Sequence, residues 1–252
     1  MTLPATRSGA KNFLGDMEVN GFPIHPLEAD LTITVGVGGE PETINGCLAK
    51  YSRMYPAYVV GGAVFTLHLP AGFTMAEQVL VNAIDLSHWQ ITGADAETAI
   101  TRSALTTEFE GRYPAFGATN GGRLPLIAQL FDMDTSGTAD NRDGVSVRDA
   151  GSVANIASAC GVKNAGASGL LVAVSASANA DDSIFSGAGA FGAILATRVS
   201  CISANGANAR KGESDSTQDF RVVFASIINA TDGTGGVSQT ANTWTEHGFI
   251  GK

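Results

Sequence analysis

The chain has 252 residues, 44% of them hydrophobic and only 15% charged, with 15 Lys and Arg against 24 Asp and Glu for a formal net charge of −9. It is too long for a peptide and too apolar for a disordered segment. An acidic chain with no Lys/Arg cluster lacks the counterion-release term on which nucleic-acid binding chiefly rests, so neither nucleic acid nor an anionic membrane is expected as a partner.

Residues 1–38 carry scattered Gly and Pro, including Phe22-Pro23-Ile24-His25-Pro26, and close in an alternating run, Leu31-Thr32-Ile33-Thr34-Val35, that reads as one strand. The first fifteen residues hold Arg7 and Lys11 but no apolar run, and nowhere do eighteen apolar residues follow one another. Neither a signal peptide nor a membrane-spanning helix is expected. A helix is predicted near 41–54: Pro41 suits a first helical position, and Ile44, Cys47, Leu48 and Tyr51 fall on one face before Pro56.

Beyond it the period changes to two. Phe65, Leu67 and Leu69 alternate with polar residues, as do Val79 and Val81, then Trp89 and Ile91, each short run ending at a Pro/Gly or Asp/Ser break. Strands of about five residues with corners between them and no helical crossovers read as a coil of strands. The 31 Gly, with abundant Ala and Ser, suit a thin core shared by many stacked strands.

From Asn141 the chain repeats itself. Asp143-Gly144-Val145-Ser146-Val147, Ser168-Gly169-Leu170-Leu171-Val172 and Phe191-Gly192-Ala193-Ile194-Leu195 align through their glycines at steps of 25 and 23 residues. A fourth copy from Phe220 lies 29 residues after Phe191, with 208–218 as an inserted loop. A period in the twenties marks a solenoid, and without a Leu ladder or repeated helix the parallel β-helix fits better than a leucine-rich repeat. From Ala150 to Ala209 the only charges are Lys163, Asp181, Asp182 and Arg198, which suits coils with covered faces. The fold class expected is all-β, a parallel β-helix over 39–252 with an N-terminal capping helix near 41–54.

The run ETINGCLAKYSRM, the strand AVFTLHL, then PAGFTMAEQVLV and IDLSHWQITGAD, the Gly-started coils and the closing IINATDGTGGVSQTANTWTEHGFI together resemble the β-helical region of tail-fibre and tailspike proteins of tailed phages and prophages. Spike fibres of phage-like particles such as gene transfer agents are similar. The resemblance covers about 40–252 and carries no catalytic signature. It implies a homotrimer of right-handed β-helices on the surface of a phage or phage-like particle, joined to a particle protein by its N-terminal segment (1–38) and contacting a host cell-surface polysaccharide. Lateral association also has a physical motive, since a lone column of few coils buries little apolar area.

No catalytic, cofactor-binding or metal-binding residue is assigned from the sequence, and no cofactor is expected. Gly187-Ala188-Gly189-Ala190-Phe191-Gly192 matches a dinucleotide fingerprint, with Glu213 at ribose-binding spacing, but opens a strand where a helix is required. Asp132 to Asp140, with Asp143, resembles a calcium loop, but a strand follows in place of the exit helix, and a polar turn is the preferred reading. Glu108 and Glu110, if extended, would point to one side about 7 Å apart, a spacing glycoside hydrolases use, whereas Asp181 and Asp182 would diverge. His25, His68, His88 and His247 form no metal-ligand pair, Cys47, Cys160 and Cys201 form no CxxC, and no G-x-S-x-G occurs. Asn229-Ala230-Thr231 is a glycosylation sequon only in a secreted chain, and Tyr58, Tyr113, Trp89 and Trp244 are read as core aromatics before sugar platforms.

Overall fold

The computed structural model describes residues 18–19, 22–23, 27–52, 61–133, 140–189, 191–211, 219–231, 243–245 and 249–251. The chain winds into an all-β parallel solenoid of about six turns with very little helix. Apart from an antiparallel pair, Glu18–Val19 with Phe22–Pro23, every strand pairing among the described residues is parallel, save one isolated bridge between Phe109 and Arg112.

Three faces make up the column. Face 1 stacks Leu31–Thr34, Phe65–Leu69, Trp89–Gly93 and Leu126–Ile127. It continues, through parallel bridges from Arg123 to Val153 and from Ile127 to Ile156, into Val153–Asn155, Ser177–Asn179, Cys201–Ser203, Ile227–Asn229 and Phe249–Gly251. Face 2 stacks Thr74–Met75, Thr98–Ile100, Leu130–Asp132, Gly161–Lys163, Ile184–Ala188 and Asn208–Lys211. Face 3 stacks Val79–Asn82, Phe116–Thr119, Val145–Arg148, Ser168–Ala173, Gly192–Thr197, Phe220–Val223 and Thr243–Thr245. The chain visits faces 1, 2 and 3 in turn. Residues 31–34, which the sequence places in the N-terminal segment, pair in register with Phe65–His68 and so belong to this ladder.

The two-residue beat explains the core. On face 3, Val79, Phe116, Val145, Leu170, Ile194 and Phe220 stand on one another and point inward, and Val81, Ala118, Val147, Val172, Ala196 and Val222 form a second buried column. Phe65 stacks on Trp89 with ring centroids 3.9 Å apart, and Phe116 meets Phe131 of face 2 edge-on at 4.9 Å. The interior is filled by these large rings in the early coils and by Ala176, Ala178, Ala180, Ala193, Ala204, Ala207 and Ala209 later. Each fully buried large side chain contributes about 1.5–3 kcal/mol, so the early coils carry more of the stabilisation per turn.

The corner from face 3 to face 1 repeats one backbone shape. Ala83, Asn120, Asp149, Val174, Arg198 and Phe224, one per coil and stacked in register, have φ between 54° and 70°. The left-handed region costs a non-glycine residue about 1–2 kcal/mol. The ladder compels it: Ala83 N–H donates to the Thr119 carbonyl, Val174 to Thr197 and Ser175 to Arg198.

The observed steps are 25, 24 and 26 residues: Val145 stands under Leu170, Leu170 under Ile194, and Ile194 under Phe220. This corrects the 23-residue step read from Gly169 to Gly192 and the 29-residue step read from Phe191 to Phe220. Gly169 is small because a Cβ there would lie 2.8 Å from the Phe185 Cβ, whereas Gly192 stacks on Ser168 and has φ +128°, so the two glycines answer different needs one register apart. Asn208–Lys211 is a strand of face 2 and not the start of a loop; 212–218 lie outside the described residues.

The helix runs over Ile44–Tyr51, shorter than the predicted 41–54. Thr43 is its N-cap, its hydroxyl accepting the Gly46 N–H at 2.9 Å, so Pro41 precedes the helix and does not open it. Ile44, Cys47, Leu48 and Tyr51 are buried as their spacing requires, and Tyr51 lies 5.4 Å from the Phe65 ring. Glu77, between the first strands of faces 2 and 3, accepts the backbone N–H of Ile44 at 2.6 Å and of Asn45 at 3.0 Å. Burial raises the Glu77 carboxyl, partly offset by those two N–H groups.

Candidate functional site

Face 3 is buried on its outer side as well as its inner one. The step from Val79 to Phe116 is 37 residues, about a dozen more than in later coils, and the excess forms a strap over 101–115 that folds back across the outside of face 3. Arg102–Ala104 opens it as a single 3-10 turn. Gln78 pins its middle: the Gln78 amide donates to the carbonyls of Thr107 at 3.0 Å and Pro114 at 2.8 Å and accepts the Thr107 N–H at 2.6 Å. At its tip Phe109 bridges Arg112 through a tight turn with Glu110 at φ 51° and Gly111 at φ 79°. The Phe109 ring lies over outward-facing Gly117, where a Cβ would meet it at 3.4 Å and Leu80 at 2.9 Å.

Charges lock the strap at both ends. Arg148 Nη1 donates to Glu110 Oε2 at 3.0 Å. Asp140 receives Arg102 Nη2 at 2.9 Å, Arg142 Nη1 at 2.7 Å and the Arg142 backbone N–H at 2.9 Å. Burial pushes the Asp140 carboxyl up, but the Arg142 N–H and the two guanidinium groups outweigh it and hold it below its usual range. The Arg112 guanidinium lies 4.2 Å over the Phe191 ring, a cation–π contact between the strap and the chain entering the later face-3 strand Gly192–Thr197.

Beneath lies Asp143, fully buried. Its Oδ1 accepts the Ser168 N–H at 3.1 Å, and its Oδ2 has no hydrogen-bond partner among the described residues. Burial pushes this carboxyl up to about 6, against the pull of Arg112, the Ser168 N–H and Arg148. Arg112 Nη1, Arg142 Nε and Ser168 Oγ are likewise buried without a hydrogen-bond partner among the described residues. The cluster is thus rich in guanidinium groups around one sequestered acid, a chemistry suited to fastening the strap or holding a polar group between Arg112 and Asp143.

The sequence candidates fall as follows. Glu108 and Glu110 do not form the expected extended pair: the chain turns at Glu110, Glu108 accepts the Gly111 N–H at 3.2 Å, and Glu110 is held by Arg148. Of the calcium-loop residues, 134–139 lie outside the described residues; Asp132 faces Lys163 at 3.6 Å and Asn164 at 2.7 Å, and Asp140 and Asp143 are engaged as above. Among the described residues no three His, Cys, Asp or Glu side chains gather as a metal site. Gly187 and Gly192 flank a corner between strands. Asp181 accepts the Ser203 hydroxyl at 2.7 Å and the Asn205 N–H at 2.8 Å within the corner after face 1. Trp89 is core, Tyr113 packs against the core, and His68 lies outward beside Thr92 at 3.0 Å. Trp89 Nε1 donates to His88 Nε2 at 2.8 Å. Tyr58, His25, His247 and the Trp244 side chain lie outside the described residues.

Sequence reasoning missed the strap and the arginines Arg102, Arg142 and Arg148, and set Arg112 only beside Glu108 and Glu110. The signal available was the overlong 37-residue step. No described helix is long and apolar enough to cross a membrane. No protein-family model, no curated protein and no solved structure matches the chain.

Proposed function

We propose that the protein is a structural spike or fibre of a phage or phage-like particle that binds a host cell-surface polysaccharide during adsorption. In this reading three copies associate as right-handed β-helices, the N-terminal segment attaches to a particle protein, and the side or far end of the rod meets the host. The observation that carries it is the parallel solenoid of about six turns, the architecture implied by the segment order that resembles phage fibres. The short helix against the Glu77 corner would then serve as a cover for the column's N-terminal end.

The alternative of a polysaccharide depolymerase has less support, because Glu110 sits in a tight turn and is held by Arg148, and Asp143 is fully buried. The test is retention of the purified protein on capsulated and acapsular cells. Selective retention on capsulated cells is expected; equal, negligible retention on both overturns polysaccharide binding and leaves an architectural spike. New reducing ends or unsaturated sugars after incubation with the capsule would replace the binding protein by an enzyme.

A further inference from the structure

Face 1 differs from the other two in charge. Its nine strands, LTIT, FTLHL, WQITG, LI, VAN, SAN, CIS, IIN and FIG, contain no Asp, Glu, Lys or Arg over about 38 Å of ladder at 4.8 Å per step. Face 2 carries Asp132, Lys163, Arg210 and Lys211 in its strands, and face 3 carries Arg148 and Arg221 and is covered by the strap. For a chain of net charge −9, a face whose strands carry no charge, and whose joint between its two sheets carries only the balanced Arg123–Asp85 pair, is the surface that meets a second copy without setting like charges together.

Apolar exposure gathers at the same place. Of the five large hydrophobic residues that stand exposed among the described residues, Ile84, Val199, Phe224 and Ile227 lie on face 1 or on the corner leading into it, with Val199 64% and Ile227 46% exposed. Cys201, directly in register with Ile227, is exposed too.

The two edges of this face have opposite signs in the later coils. Arg198 stands exposed at the entering corner, and Asp182 stands exposed at the leaving corner about one rung lower. Neither makes an ion pair among the described residues, whereas at the entering corner Asp85 faces Arg123 and Asp149 accepts the Thr119 hydroxyl and the Asn120 N–H. Around a rotation axis parallel to the column, the entering edge of one copy meets the leaving edge of the next at nearly the same height. Identical rung spacing keeps the two ladders in step over their whole length, which an unrelated partner would not do.

We propose that face 1 is the self-association surface, packed around a rotation axis with Val199, Phe224 and Ile227 covered and Arg198 paired to Asp182 of the partner subunit. This rests on the oligomeric reading above and adds which face and which edges make the contact.

The experiment is sedimentation of the full-length protein across a concentration series, with circular dichroism confirming that each variant keeps its strands. Ile227→Glu is expected to sediment as a monomer where the parent is an oligomer, and Ala99→Glu on face 2 to leave the oligomer intact. Asp182→Arg and Arg198→Asp are each expected to weaken association about tenfold, and the double exchange to restore it. Cys201 is expected to resist a maleimide in the parent and to react in Ile227→Glu. A folded parent that is monomeric at every concentration overturns the oligomer itself. An oligomer that survives Ile227→Glu, or fails in Ala99→Glu, or shows no rescue by the double exchange, overturns the face assignment while the oligomer stands.

Discussion

Arg148 and Glu110, 38 positions apart in sequence, meet at 3.0 Å across the outer side of face 3, the arginine side chain 9% exposed and the glutamate 47%. The asymmetry sets what each contributes. Glu110 can be hydrated when unpaired, whereas Arg148 cannot without lifting the strap.

Glu110→Gln is therefore expected to cost less than about 1 kcal/mol, the range of an exposed ion pair. Arg148→Ala is expected to cost more, about 2 kcal/mol, because packing is lost along with the charge. Hydrogen exchange within 106–113 should rise in both variants while the inward columns stay protected. Equal losses would show that the strap is not held from the arginine side.

Asp143 gives a pH signature. Its folded pKa of about 6 lies above the ordinary aspartate value of 3.8, so its contribution to stability is full below pH 4 and is lost as pH rises through 6. The charged groups facing it are Arg112, Arg148 and Asp140. Asp143→Asn should flatten the difference in urea-unfolding free energy between pH 4 and pH 7, a change of about 3 kcal/mol. A parent and variant with parallel profiles would remove the buried ionisation from the account.

The left-handed corner predicts opposite signs for one substitution. Ala83 has φ 55°, so Ala83→Gly should raise stability by about 0.5–1 kcal/mol. Ala154, an inward strand residue of face 1, should lose about 1 kcal/mol on Ala154→Gly. Thermal melts of the two single variants check this, and a shift in the same direction for both would contradict it.

Gly144 tests the packing of faces 2 and 3. A Cβ there would stand 2.6 Å from the Gly169 carbonyl oxygen and 2.6 Å from the Val162 Cβ. Gly144→Ala should cost about 1–3 kcal/mol, read as a lowered urea midpoint. Gly38→Ala meets no atom within 4 Å, and its cost comes only from φ +70°.

Much of the column was legible in advance because period two and a repeat in the twenties are properties of side chains that face inward. Phe65, Leu67 and Leu69, Val79 and Val81, and Trp89 and Ile91 are buried as their alternation requires. The helix face was legible for the same reason, but its start was not, since Thr43 competes with Pro41 as the boundary and its hydroxyl settles the matter. The register was misread where glycine was treated as one signal, although Gly169 answers a steric need and Gly192 a backbone one. The strap was hidden because its residues obey no period; they are placed by Gln78, Arg148 and Asp140, partners 29 or more positions away.

The pairing bonds of every rung run along the length of the column. Tension applied between its two ends therefore falls on one rung interface at a time, and such a rod would unzip from whichever tip is less well fastened. The aromatic coils around Phe65 and Trp89 make the early tip the firm one, and the alanine-filled turns beyond Ala176 the part that yields first under pull.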